Sequence, residues 1–172
     1  MGDNQTIRPQ VDTLVNILEE QIRVYRHLLE TVRKEKDILI SANLDDLNES
    51  NRTKEALLLK VRALEAQRLA TANEVYQSLG LNGEHPRLLE LARQLDAESS
   101  DRLRNIHSVL ELLLRRVQEY NVQNEALVQA ALTTVTGAMN SIKGELAEKP
   151  TYQKKGEVEG HTTAGQLVSR EV

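Results

Sequence analysis

Residues 103–138, LRNIHSVLELLLRRVQEYNVQNEALVQAALTTVTGA, decide the fold. Leu103, Ile106, Leu110, Leu113, Val117, Tyr120, Asn124, Leu127, Ala131, Thr134 and Ala138 follow one another in alternating steps of three and four. That is the heptad spacing with which one face of an α-helix meets a neighbouring helix. Asp96 or Ser99/Ser100 stand in front of it as capping residues. A helix is predicted over 99–143, roughly 65 Å long at the α-helical rise.

Upstream, Pro86 restarts the chain, and Leu88, Leu89, Leu91 and Leu95 fit a short helix over 86–95. Before it, Gly80-Leu81-Asn82-Gly83 is a stop signal. It ends a second long helix, predicted over 45–79, with a buried stripe of Leu47, Leu57/Leu58, Val61, Leu64, Ala72, Val75 and Leu79. The run Leu57-Leu58-Leu59 is expected to widen that stripe. A first helix is predicted over 9–41, starting at Pro9, where a missing N–H does no harm. Its seam is Val11, Leu14, Leu18, Ile22, Tyr25, Leu29, Val32 and Leu39, with Lys36 filling one gap. Asn43 is expected to take the left-handed conformation and Asp45 to cap the next helix, which makes an antiparallel hairpin. After 144 the period breaks at Pro150, Gly156, Gly160 and Gly165, so 145–172 is expected to be a flexible tail beside a 1–144 bundle. No stretch alternates like a strand. The expected class is all-α, a coiled-coil-like bundle of long antiparallel helices.

Composition narrows the function. The chain has 172 residues with 40% hydrophobic and 2% aromatic content, and no Cys, Phe or Trp. Ligand pockets draw on aromatic side chains, which are scarce here. Absence of cysteine removes disulfides, thiolate metal sites and a thiol nucleophile. With 22 basic against 26 acidic residues there is no net positive field for nucleic acid. Met1–Thr6 is polar and carries no secretory signal, no stretch suits stable membrane insertion, and a cytoplasmic protein is expected.

A search for chemistry finds little. Carboxylate-bridged metal bundles need Glu-x-x-His repeats, and none of His27, His85, His107 and His161 has a Glu three residues upstream. His107 and Glu111 are one turn apart, which reads as a solvated surface pair. Gly80-x-x-Gly83 lacks the Lys-Ser/Thr of a phosphate loop. No enzyme, cofactor or metal is expected.

Two features of the last long helix carry more. Asn124 occupies a seam position where leucine would stabilise more, so it acts either as a register device or, with Asn121, as a contact for a partner helix. Between Glu125 and Lys143 there is no charge, and a second apolar stripe appears: Val128, Leu132, Val135, Met139 and Ile142. Either the first two helices cover it, or it stays open to a partner helix.

The two long helices joined near Asn43-Leu44-Asp45-Asp46-Leu47, the Leu-rich 88–95 segment, Asn121-x-x-Asn124-x-x-Leu127-Val128 and the later Tyr152-x-x-x-Gly156 together resemble the FlgN family of flagellar export chaperones. Val128 stands where a second leucine is usual. The resemblance, from about Val11 to Gly165, implies a cytoplasmic chaperone that binds the C-terminal helices of the hook–filament junction proteins FlgK and FlgL. It implies delivery of those clients to the cytoplasmic domain of the flagellar type III export gate. The candidate client-binding residues are then Asn121, Asn124, Leu127, Val128, Ala131, Leu132, Val135, Met139 and Ile142, and Tyr152 would dock at the gate. The alternative is a structural helical-bundle protein whose C-terminal helix closes a homo-oligomer.

Overall fold

The computed structural model describes residues 4–81 and 86–148. Four helices follow in order: α1 (Asn4–Ser41), α2 (Leu44–Ser78), α3 (Leu88–Gln94) and α4 (Ala97–Glu148). No strand occurs among the described residues, and the long helices pack on one another as the heptad patterns require. The chain divides into two compact units, Met1–Leu127 and Val128–Val172.

In the first unit α1 and α2 run antiparallel. Gln10 accepts from Ser78, Glu20 from Lys60 and Glu35 from Lys54, so α1 numbers rise as α2 numbers fall. α4 runs parallel to α1, because Arg102 reaches Glu19 while Asn124 reaches Val32 and Glu35. α1 is the central helix and buries more than a single seam. Val11, Leu14, Val15, Leu18 and Ile22 share one cluster with Ala72 and Val75 of α2 and Leu103, Ile106, Leu110 and Leu113 of α4. Val24, Leu28 and Val32 share another with Leu57, Leu64 and Val117. The short α3 inserts Leu91 and Ala92 fully into the first cluster, so the crossover from α2 to α4 closes that end of the core.

Several local readings need correction. α1 starts five residues before Pro9, which lies inside the helix. Ile7 is buried one turn before Val11, and that packing outweighs the one backbone bond proline cannot donate. At the hairpin turn Ala42, not Asn43, adopts the left-handed backbone, with φ 54°. Asn43 is used otherwise: its side chain caps α2 by accepting from the Asp45 and Asp46 amides at 3.1 and 3.3 Å. Asp45 therefore lies in the first turn of α2 instead of capping it. Leu58 and Leu59 are exposed, so α2 buries a narrow seam (Ser50, Leu57, Leu64, Ala72, Val75, Tyr76) and not the widened stripe. One residue along a helix turns 100°, which carries Leu58 away from the line through Leu57 and Leu64.

The ends of the elements follow their caps. Gly80 at φ 67° closes α2: its amide donates to the Gln77 carbonyl and the Leu81 amide to that of Tyr76, satisfying carbonyls the helix leaves open. Asp96 starts α4 by accepting from the Ser99 amide and hydroxyl, and these bonds hold its carboxyl below the ordinary range. α4 runs on to Glu148, past the expected end at 143. A lone Gly144 costs a helix only about 1 kcal/mol and does not stop it, so residues 145–148 belong to the helix. The rest of the expected tail, 149–172, lies outside the described residues.

Candidate functional site

The segment of α4 after Leu127 is built unlike the rest of the molecule. Every residue from Val128 to Leu146 is exposed. Among them Val128, Leu132, Val135, Met139, Ile142 and Leu146 are 45%, 58%, 57%, 54%, 57% and 65% exposed. Their steps of four, three, four, three and four place them on one face of the helix. Leu146 extends the stripe by one turn; the same spacing signals it in the sequence, but the expected helix end at 143 left it out. Six half-exposed aliphatic side chains in a row form a contiguous apolar patch, a feature that surfaces for other molecules share.

The polar side chains beside this stripe make few demands. Thr133, Thr134 and Ser141 donate their hydroxyls back to the carbonyls of Gln129, Ala130 and Gly137 at 2.9, 3.0 and 3.1 Å. These bonds are local and need no partner. Gly137 and Gly144 have open space where a Cβ would stand, so nothing in the chain itself requires glycine there. No ionisable side chain lies between Glu125 and Lys143. The face is therefore apolar, uncharged, and built on a backbone that satisfies itself.

The sequence-predicted residues separate into three groups. Val128, Ala131, Leu132, Val135, Met139 and Ile142 are exposed together on α4, and Leu127 is half-buried at the upstream edge. Asn121 is exposed, but Asn124 is not: it is 5% exposed and its amide Nδ2 donates to the Val32 carbonyl at 2.9 Å and to Glu35 Oε2 at 3.0 Å. Asn124 is an internal tie between α4 and α1, and it leaves the exposed set for that reason. Tyr152 lies outside the described residues.

Sequence reasoning missed the acid that Asn124 meets. Glu35 is 6% exposed and also takes Lys54 of α2, so a buried carboxylate joins the three long helices. A charged residue one place before Lys36 in a solvated-looking run gives no sequence sign of burial. A second polar tie sits mid-hairpin, where Gln21 donates to Glu65 and Arg68 grips the same carboxylate. The Arg68 guanidinium holds Glu65 below the usual carboxylate range, and Glu65 in turn raises Arg68.

Among the described residues no three His, Asp or Glu side chains gather as a metal site. His107 is half-buried, and its neighbour Glu111 is engaged by Arg115 at 3.5 Å. No described helix is long and apolar enough to cross a membrane.

A family model described as FlgN protein covers residues 1–160. Searches of curated proteins and of solved structures each return no match. The family match spans the hairpin, the α3 crossover and all of α4, including the exposed stripe. The chain therefore belongs to the FlgN family, whose members serve as flagellar export chaperones.

Proposed function

We propose that the chain is a cytoplasmic chaperone that binds the C-terminal helices of hook–filament junction proteins of the FlgK and FlgL type and delivers them to the flagellar export gate. The observation that carries this reading is the apolar stripe from Val128 to Leu146, exposed on α4 and free of ionisable neighbours from Ala126 to Ile142. An amphipathic client helix needs its apolar face covered before secretion, and a helix face of matching spacing does so without a closed cavity. The contact must also be reversible. Short aliphatic side chains interleaved with Ala131, Thr134 and Ala138 bury less area than a leucine seam would, which favours release. The client surface is assigned to Leu127, Val128, Ala131, Leu132, Val135, Met139, Ile142 and Leu146, with Asn121 at its upstream edge. Tyr152 is assigned to gate docking, where a contact made by a short segment is weak and readily broken.

Heptad spacing on an open face also suits a second copy of the chain. Light scattering on a sizing column separates the two readings. The protein is run alone, then mixed with the C-terminal region of a hook–filament junction protein. A stoichiometric complex supports the chaperone reading. A stable homo-oligomer that ignores the junction protein overturns it and assigns the stripe to self-association.

A further inference from the structure

The core of the first unit changes chemistry along α4. Seam positions Leu103, Ile106, Leu110, Leu113 and Val117 are buried aliphatics, after which Tyr120 is half-buried and Asn124 is buried. At that level Glu35, Lys54 and Asn124 form one hydrogen-bonded node. The node is incomplete, because Asn124 Oδ1 is buried without a partner, as is the hydroxyl of Ser50 one turn before Lys54 on α2. Past Glu35 no residue of α1 is buried, and before Ser50 none of α2 is. The flanking links are exposed ones: Arg33 lies over the Tyr120 ring at 5.9 Å, and Lys36 reaches Gln123 at 3.5 Å.

Separating α4 from α1 has different consequences at the two levels. Between Leu103 and Val117 it wets leucine and isoleucine side chains. Around Asn124 it returns a carboxylate, an ammonium and an amide to water and gives the unpaired Oδ1 a partner. Local opening concentrates where apolar contacts are few. We infer that residues 118–127 of α4 form a latch that releases from α1 and lengthens the partner-binding face upstream from Val128 to Tyr120. The released positions Tyr120, Asn124 and Leu127 stand in the same heptad step as Ala131, Thr134 and Ala138, the small-residue line that flanks the Val128–Leu146 stripe in the sequence. This inference rests on the proposed function for its partner, but the opening itself is a property of the free chain.

Amide hydrogen exchange on the full chain tests it. In the free protein, amides 120–127 should exchange at least about tenfold faster than 106–113, the factor one unmade buried hydrogen bond is worth. Adding the junction protein's C-terminal region should protect 120–142. Glu35→Leu combined with Asn124→Leu makes the α1–α4 contact at the node apolar and leaves Lys54, whose side chain is 25% exposed, to turn its ammonium to water; the variant should slow exchange over 120–127 about tenfold while weakening partner binding. Asn124→Asp sets a second carboxylate against Glu35 and should accelerate the same amides. Equal protection from 106 to 127 in the native chain, or no response to the double leucine variant, overturns the latch. The expected exchange pattern without any partner binding supports the latch and overturns the proposed function, so the two failures are distinguishable.

Discussion

Leu103 and Leu132 are the same residue on the same helix with opposite surroundings, and truncating each to alanine should separate folding from binding. Leu103 is fully buried, in a cluster with Leu14, Leu18 and Leu91. Leu103→Ala removes contacts on every side and leaves a cavity, which costs about 3–5 kcal/mol. For a chain of this size that lowers Tm by roughly 6–20 °C. Leu132 is 58% exposed, so the free protein keeps under half of its side chain from water. Leu132→Ala should then cost the fold less than about 1 kcal/mol. Covering the exposed part in a complex is worth about 1–2 kcal/mol, so affinity for a junction-protein C-terminal helix should fall about 5–30-fold. Circular dichroism melts and titration calorimetry on both variants read the two quantities. If Leu132→Ala lowers Tm as far as Leu103→Ala does, the stripe is part of the folded interior and its assignment as a partner surface is refuted.

Val128→Asp with Met139→Asp should abolish client binding and leave helix content by circular dichroism unchanged; unfolding of this variant would contradict the exposure on which the surface rests. Tyr152→Ala should keep client affinity while reducing export in a secretion assay, and lost affinity would undo the division between helix and docking tyrosine. Ala42→Gly should raise stability by up to about 1 kcal/mol by relieving the left-handed alanine, whereas Asn43→Ala should lower it by about 1 kcal/mol through the lost cap, both read from denaturant midpoints. Glu65 is held low mainly by Arg68, and Asp96 mainly by the Ser99 amide. The stability each contributes is complete above the ordinary carboxylate range and is lost as pH falls through its lowered native value. Tm should therefore be flat near neutrality and drop below about pH 4.5, with a shallower drop in Glu65→Gln.

What was legible in the chain was periodicity. The unbroken seam from Leu103 places α4, and five of its first five positions are buried from Leu103 to Val117. The stop at Gly80 read correctly because it depends on its immediate neighbours, whereas the start of α4 was left between Asp96 and Ser99/Ser100, and the bonds from Ser99 make Asp96 the cap. The centrality of α1 was not legible, since one seam written on a helix does not say how many helices it meets. Val15, Val24 and Leu28 lie off the Val11–Leu14–Leu18 line and become core only because α2 and α4 take different sides of α1. Glu35 was invisible for the same reason, its burial being imposed by two other helices. The turn failed on competition, as Asn43 suits both a left-handed and a capping position and the capping bonds decided. The stripe at 128–146 was readable as a pattern, while its exposure required the structure.

The order in which these elements leave the ribosome has a consequence of its own. α1 and α2 form a hairpin closed by the two-residue turn Ala42-Asn43, so both are in hand before α4 is made. At about 5–20 residues per second, Val128 follows Val117, the last buried aliphatic of the α4 seam, by about 0.5–2 s, whereas helical contacts of this kind form in microseconds to milliseconds. The exposed stripe is thus synthesised after the helices that could misfold onto it have had time to close. A nascent chain of this family completes its packed helices before the exposed aliphatic stripe is made.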